Sequence, residues 1–241
     1  MLREGQATMQ PEEELAALRP LASFAGIAGS LLLVGYFVAP LFLGWPYAGA
    51  PADSIAAYAR ANQTLFFGGA WLQVTGTFLS VGFFVAICRL GDGGRSFVSL
   101  ATIAASAVLV AVVVIEAAFL VAVPVAASAN DSTTAQAMFT LSNGVFLRVF
   151  PLGPAPATLA ALGAVIVGSG VLGRTIGWAA IALATAFELA GIAAIFSPVA
   201  LPVIVILSAL QAAWVLVAAA ALASTRGRRP ATGARLAGDV P

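Results

Sequence analysis

The sequence predicts an all-α polytopic transmembrane bundle of six spans, with both termini on the cytoplasmic side. Three observations predict it. Of the 241 residues, 61% are apolar and only 9% are charged, against roughly 45–50% and about 25% in a soluble globular protein. The apolar residues gather in stretches with one charge or none. These are long enough to cross a bilayer core, which takes about 20 helical residues at about 1.5 Å each. The cations divide unevenly between alternate connections, as they do in a chain threaded repeatedly through a membrane.

The elements follow in order. Residues 1–20 form a cytoplasmic leader. Its Pro11-Glu12-Glu13-Glu14 followed by Leu15 to Arg19 predicts a short amphipathic helix, with proline and acids in the first turn and a cation at the end. The first span, 21–44, carries no charge and stops at Trp45-Pro46-Tyr47, aromatics that suit an interface. The acidic leader and the length of this apolar run predict that the segment is retained rather than cleaved after Ala48-Gly49-Ala50. The second span, 65–88, has Gln73 as its strongly polar side chain and ends in the turn Gly91-Asp92-Gly93-Gly94. The third, 97–123, contains one charge, Glu116. The fourth, 155–172, is uncharged and rich in Gly and Ala. Ahead of it, 134–150 reads either as an interfacial helix or as the outer part of span four. The preferred reading is an interfacial helix that bends into the membrane at Pro151, Pro154 and Pro156. Gly173-Arg174 leads into the fifth span, 175–196, with Glu188, and Ser197-Pro198 into the sixth, 199–222, with Gln211. An interhelical hydrogen bond is expected of Gln211. Residues 223–241 read as a disordered basic cytoplasmic tail. Helices are the spanning form because hydrocarbon satisfies no backbone group, and the runs lack the alternation of barrel strands.

Orientation rests on arginine, since the chain has no lysine. Nine arginines, Arg3, Arg19, Arg89, Arg95, Arg174, Arg226, Arg228, Arg229 and Arg235, fall on one side, and two, Arg60 and Arg148, on the other. The first side is the cytoplasmic one.

Composition narrows the chemistry. The net charge is +1 and there is no histidine. A general field for nucleic acid, imidazole metal sites and Ser-His-Asp catalysis are therefore excluded. Cys88 is the single cysteine and is expected to pack as a small apolar side chain. No catalytic residue, metal or cofactor is expected. The informative residues are Glu116 and Glu188, because a charge in mid-membrane costs about 2.5–3.5 kcal/mol on insertion scales and should face the bundle. Counted at about 1.5 Å per residue, Tyr36, Gln73, Glu116 and Glu188 each fall roughly 10–12 Å below the outer ends of their spans, and Arg148 falls just outside span four above them. Two readings stand: an outward-facing polar pocket of Tyr36, Gln73, Glu116 and Glu188 with Arg148 as counter-ion, or, the preferred one, scattered packing contacts in which each Glu bonds a neighbouring helix and Arg148 reaches lipid phosphate.

Two short stretches, Gly170-Val171-Leu172-Gly173-Arg174-Thr175-Ile176-Gly177-Trp178 and Ala86-Ile87-Cys88-Arg89-Leu90, resemble the corresponding turns of a family of uncharacterised bacterial six-helix membrane proteins. That resemblance implies a six-helix fold in a bacterial plasma membrane and transfers no active-site residue. The function expected is an accessory or structural membrane component, in contact with the lipid bilayer and with a homo-oligomeric or other membrane partner. The alternative is a small proton-linked transporter or ligand-binding protein using the polar pocket. An intramembrane enzyme is the third reading. A cavity touching both glutamates favours the alternative; a dry bundle favours the first.

Overall fold

The computed structural model describes residues 11–47, 49–197 and 201–224, all of them in helices or short connections. Helix α1 (Pro11–Phe42) is followed by the short α2 (Ala52–Ala61), then α3 (Gln63–Asp92) and α4 (Phe97–Ser128). Helix α5 (Ser132–Gly144) passes through a π-helical turn, Val145–Val149, towards α6 (Pro154–Ser169), and α7 (Arg174–Phe196) and α8 (Leu201–Ser224) complete the order. Among the described residues six segments are long and apolar enough to cross a membrane: Glu13–Ala39, Gln63–Asp92, Phe97–Ser128, Ser132–Ser169, Arg174–Phe196 and Pro202–Ser224. The chain fits a multi-pass membrane protein.

The spans close into a ring. Helix α1 packs on α3, α3 on α4, α4 on α6, α6 on α7, α7 on α8, and α8 returns to α1, while α3 also reaches α6 across the centre. Small residues set the closest approaches. A Cβ on Gly29 of α1 would lie 2.8 Å from the Gly76 carbonyl oxygen of α3, and one on Gly163 of α6 would lie 2.7 Å from the Gly177 carbonyl oxygen of α7. At both places backbone meets backbone, which gives dispersion contact where lipid supplies no hydrophobic drive between helices. The Trp214 indole N–H donates to the Ile176 carbonyl at 3.0 Å and ties α8 to α7.

The connections are short because their residues stop helices locally. Gly93 ends α3 in the left-handed region at φ 74°, where a glycine avoids the Cβ penalty. The Asp92 carboxylate accepts from the Gly94 N–H and the Ser99 hydroxyl, each at 2.8 Å, and Ser96 caps α4 by accepting from the Ser99 N–H. Beyond α4, Asp131 accepts from the Thr134 N–H and hydroxyl at 2.9 and 2.6 Å and starts α5. These bonds hold its carboxyl below the usual carboxylate range.

Two readings of the fourth span were open. Helix α5 turns back along α4, and Ala135 and Phe139 share a core with Leu120, Val123 and Ala127. Taken together, Ser132–Ser169 are long and apolar enough to cross a membrane. The prolines explain the break that follows. Pro151 and Pro154 have no N–H to continue the helical ladder. The Phe150 N–H instead bonds the Val145 carbonyl at 3.0 Å, and the Phe150 carbonyl accepts from Ala155 at 3.2 Å. Pro154 then occupies the first turn of α6, where a missing donor costs nothing.

Two differences from expectation concern the ends. The leader helix is not a separate element, since α1 runs unbroken from Pro11 into the first span. The short α2 was not foreseen, although Asp53 in its first turn and Arg60 in its last complement the dipole and Ile55, Ala56 and Ala59 form its buried face. Residues 1–10 and the tail beyond Ser224 lie outside the described residues.

The interior has two parts. At the end of the bundle that carries Gly93 and Gly170, Phe83, Phe84, Ile87, Leu159, Leu162 and Ile166 pack with no exposure above 0%. Cys88 is buried in that core, as expected. At the end that carries α2, the core of Ile55, Phe66, Leu120 and Phe139 adjoins a cavity.

Candidate functional site

The connection from α1 to α3 forms a roof over that cavity. Trp45 lies over Phe66, with ring centroids 4.7 Å apart, and meets Tyr58 at 6.0 Å and Phe139 at 6.2 Å. Polar bonds hold the roof down. The Tyr58 hydroxyl donates to the Leu43 carbonyl at 2.7 Å, and Gln136 of α5 donates to the Ala50 carbonyl at 3.0 Å. An Arg60 guanidinium N–H donates to the Ala127 carbonyl at 3.1 Å, and the Gln63 amide donates to the Ser128 hydroxyl at 2.9 Å. Arg60 and Gln63 thus fix both ends of the α2–α3 junction to the end of α4.

Beneath the roof lies a cavity of about 400 Å³. Its rim includes the exposed Leu43, Tyr47 and Thr64, its walls include Tyr36, Phe37, Phe139 and Phe146, and Glu116 lies at its floor. Gly68 and Gly69 of α3 keep one wall low: a Cβ on Gly68 would meet nothing within 4 Å, and one on Gly69 would come no closer than 3.7 Å to the Tyr36 ring. A volume near 400 Å³ is in the range of small-molecule sites, which are mostly apolar with a few placed polar groups.

Glu116 is the polar focus, with 2% of its surface exposed. The Tyr36 hydroxyl donates to its Oε1 at 3.2 Å, and Gln73 is a second hydrogen-bonding neighbour of the carboxyl. Its Oε2 accepts no hydrogen bond among the described residues, and neither does the side-chain oxygen of Gln73 or of Gln211. Below Glu116 a smaller chamber of about 30 Å³ continues into the bundle, bordered by Gln73, Thr77, Ser80, Ser208 and Gln211. Glu116, Phe37 and Phe146 border both spaces. The carboxyl therefore stands between an aromatic vestibule and a small, mostly apolar chamber that a few polar side chains border.

Three of the five residues expected to share a site are together: Tyr36, Gln73 and Glu116. The other two are elsewhere. Glu188 of α7 borders neither space; it follows Phe187, whose ring meets Phe150 at 5.6 Å. Arg148 is not above the layer. It belongs to the π-helical turn, between Phe146 and Phe150, and is exposed on the outside of the bundle. Among the described residues neither Arg148 nor Glu188 makes a hydrogen bond or an ion pair, so Arg148 is not the counter-ion of Glu116. Gln211 also differs from expectation, since its side-chain oxygen forms no interhelical bond among the described residues.

Sequence reasoning missed the vestibule walls and the chamber hydroxyls. Trp45 was visible as an interfacial aromatic, but nothing in its spacing placed it over a cavity. Ser80 and Ser208 are single hydroxyls in apolar spans, and no pattern in the sequence orients them.

No protein-family model, curated protein or solved structure matches the chain. The residues themselves must carry any functional argument.

Proposed function

We propose that this is a membrane-embedded binding protein for a small amphiphile, with an apolar body in the aromatic vestibule and a cationic or hydrogen-bond-donating head at Glu116. The supporting observation is the buried carboxyl at the floor of an apolar cavity of about 400 Å³. A carboxylate with one unpartnered oxygen is a strong acceptor, and a hydrogen bond to a charged group contributes about 1.5–3 kcal/mol. The arginine distribution orients the molecule in a plasma membrane with both termini cytoplasmic and the vestibule opening on the outer side. Proton uptake by Glu116 on release of the ligand would make the same site a small proton-linked transporter, since intramembrane carboxyls mark such relays.

The test uses octylammonium and octanol, which share an apolar body and differ in the head. Binding to protein in nanodiscs is read from Trp45 fluorescence, with Trp45→Phe as the blank. Octylammonium should bind more tightly, and Glu116→Gln should weaken it about 10-fold while leaving octanol unchanged. Equal affinity of the two probes, or no effect of Glu116→Gln, overturns the proposal.

A second reading, an accessory or structural component, is favoured by one observation: Arg148 and Glu188 stand on neighbouring elements with no partner among the described residues. A second copy or another membrane protein could satisfy both. This reading expects Arg148→Ala and Glu188→Gln to change the oligomeric state in nanodiscs. An unchanged state in both variants removes it.

A further inference from the structure

We propose that the chamber beneath Glu116 is a binding site for a single small monovalent cation. The argument starts from its lining. Glu116, Gln73 and Gln211 are 2%, 3% and 8% exposed, and each presents a buried oxygen that accepts no hydrogen bond among the described residues. All three residues border the chamber. The two serines beside them have used their hydrogens elsewhere: Ser80 donates to the Gly76 carbonyl and Ser208 to the Ile204 carbonyl, each at 2.8 Å. Their oxygens keep only lone pairs for the chamber. Unpartnered oxygens from α3, α4 and α8 thus border one side of a space of about 30 Å³ whose remaining wall is apolar.

Three occupants could answer such a lining. A proton on Glu116 satisfies one oxygen and leaves the amide oxygens as they are. A water brings two donors but no charge, and a single carboxylate in apolar surroundings is left uncompensated, which is costly. A monovalent cation meets both needs, because it is coordinated by several neutral oxygens at once and balances the one carboxylate. Carbonyl-type oxygens replacing the hydration shell are how ions are held inside membrane proteins. Turning over one glutamine amide would present its two N–H donors and would leave the charge. A carboxylate is a strong-field oxygen ligand and favours Na⁺ or Li⁺ over K⁺. Gln73 and Gln211 border this chamber and not the vestibule, but Glu116 borders both, so a cation in the chamber and a cationic head in the vestibule compete for one carboxylate.

The experiment follows thermal unfolding of the protein in nanodiscs as Na⁺ replaces N-methyl-D-glucamine at constant ionic strength, with Li⁺ and K⁺ as parallel arms. A ligand that binds only the folded state stabilises it by mass action. The melting temperature should rise by about 5 °C between about 1 and about 100 mM Na⁺, and by less in K⁺. Gln211→Leu should abolish the rise and the retention of ²²Na⁺ by the protein, while leaving octylammonium binding in the vestibule intact. Ser208→Ala, a smaller change, should weaken ²²Na⁺ retention several-fold and keeps the test decisive if Gln211→Leu fails to fold. A melting temperature indifferent to the cation, or ²²Na⁺ retention unchanged in Ser208→Ala and Gln211→Leu, overturns the proposal and leaves a water-filled chamber. Loss of octylammonium binding with the Na⁺ effect intact would overturn only the vestibule reading.

Discussion

The two ends of the bundle use aromatic rings differently. At the end with Gly93 and Gly170, Phe83 and Phe84 are fully buried among aliphatic side chains and close-packed glycine contacts. At the α2 end, Trp45, Tyr36 and Phe139 form the walls and roof of an open space with a carboxyl at its floor. The first end is close-packed because aliphatic, aromatic and small side chains fill it, the buried Ser99 and Thr102 among them. The second stays open because Gly68 and Gly69 withhold side chains from α3 and because hydrogen bonds from Tyr58, Arg60, Gln63 and Gln136 hold the roof in place of packing. One end is built for stability; the other exchanges packing for volume.

That contrast can be broken by matched substitutions. The largest effect is expected from Phe83→Ala in the close-packed end, at about 3–5 kcal/mol. Phe146→Ala, on the cavity wall and only half-buried, should cost less because part of that ring already faces open space. Chemical unfolding of both variants in detergent checks the ranking; equal losses would mean that the α2 end is packed as tightly as the other. Gly68→Leu sharpens the comparison from the opposite side. Its side chain enters open space, so the melting temperature should change little while octylammonium binding falls at least about 10-fold. Overpacking elsewhere typically costs about 1–3 kcal/mol, so a large stability loss at Gly68 would show that the cavity is not there.

The smallest effect concerns pH at the turn between α4 and α5. The Asp131 carboxyl is held below its ordinary value by the Thr134 N–H and hydroxyl. A group whose folded value is depressed contributes stability that is complete above its unfolded value and is lost as pH falls through the folded one. The melting temperature should therefore decline slightly on acidification below the ordinary carboxylate range. Asp131→Asn keeps a capping oxygen and should flatten that decline. An identical acid profile in the variant would show that Asp131 contributes nothing.

Several parts of the molecule were legible in one dimension. The six spans are, because twenty apolar residues in a row have few other solutions. So were the turn at Gly93 and the proline break before α6, which follow from φ preferences and a missing N–H. Tyr36, Gln73 and Glu116, which the depth count put in one layer, meet at one carboxyl; Glu188, counted to the same depth, lies on a helix that faces elsewhere, and Arg148 is exposed on the outside of the bundle.

The amino-acid sequence by itself determined that this chain forms six helices long and apolar enough to cross a membrane, because that property follows from local hydropathy and backbone chemistry. Only the tertiary structure decided which polar residues meet. Spans that are apolar all round carry almost no amphipathic signal, so neither the rotation of each helix nor its neighbours in the ring can be read along the chain. Contacts such as Gly29 with Gly76 and Gly163 with Gly177 set those rotations, and with them the meeting of Tyr36 and Gln73 at the Glu116 carboxyl and the placing of Glu188 away from both spaces.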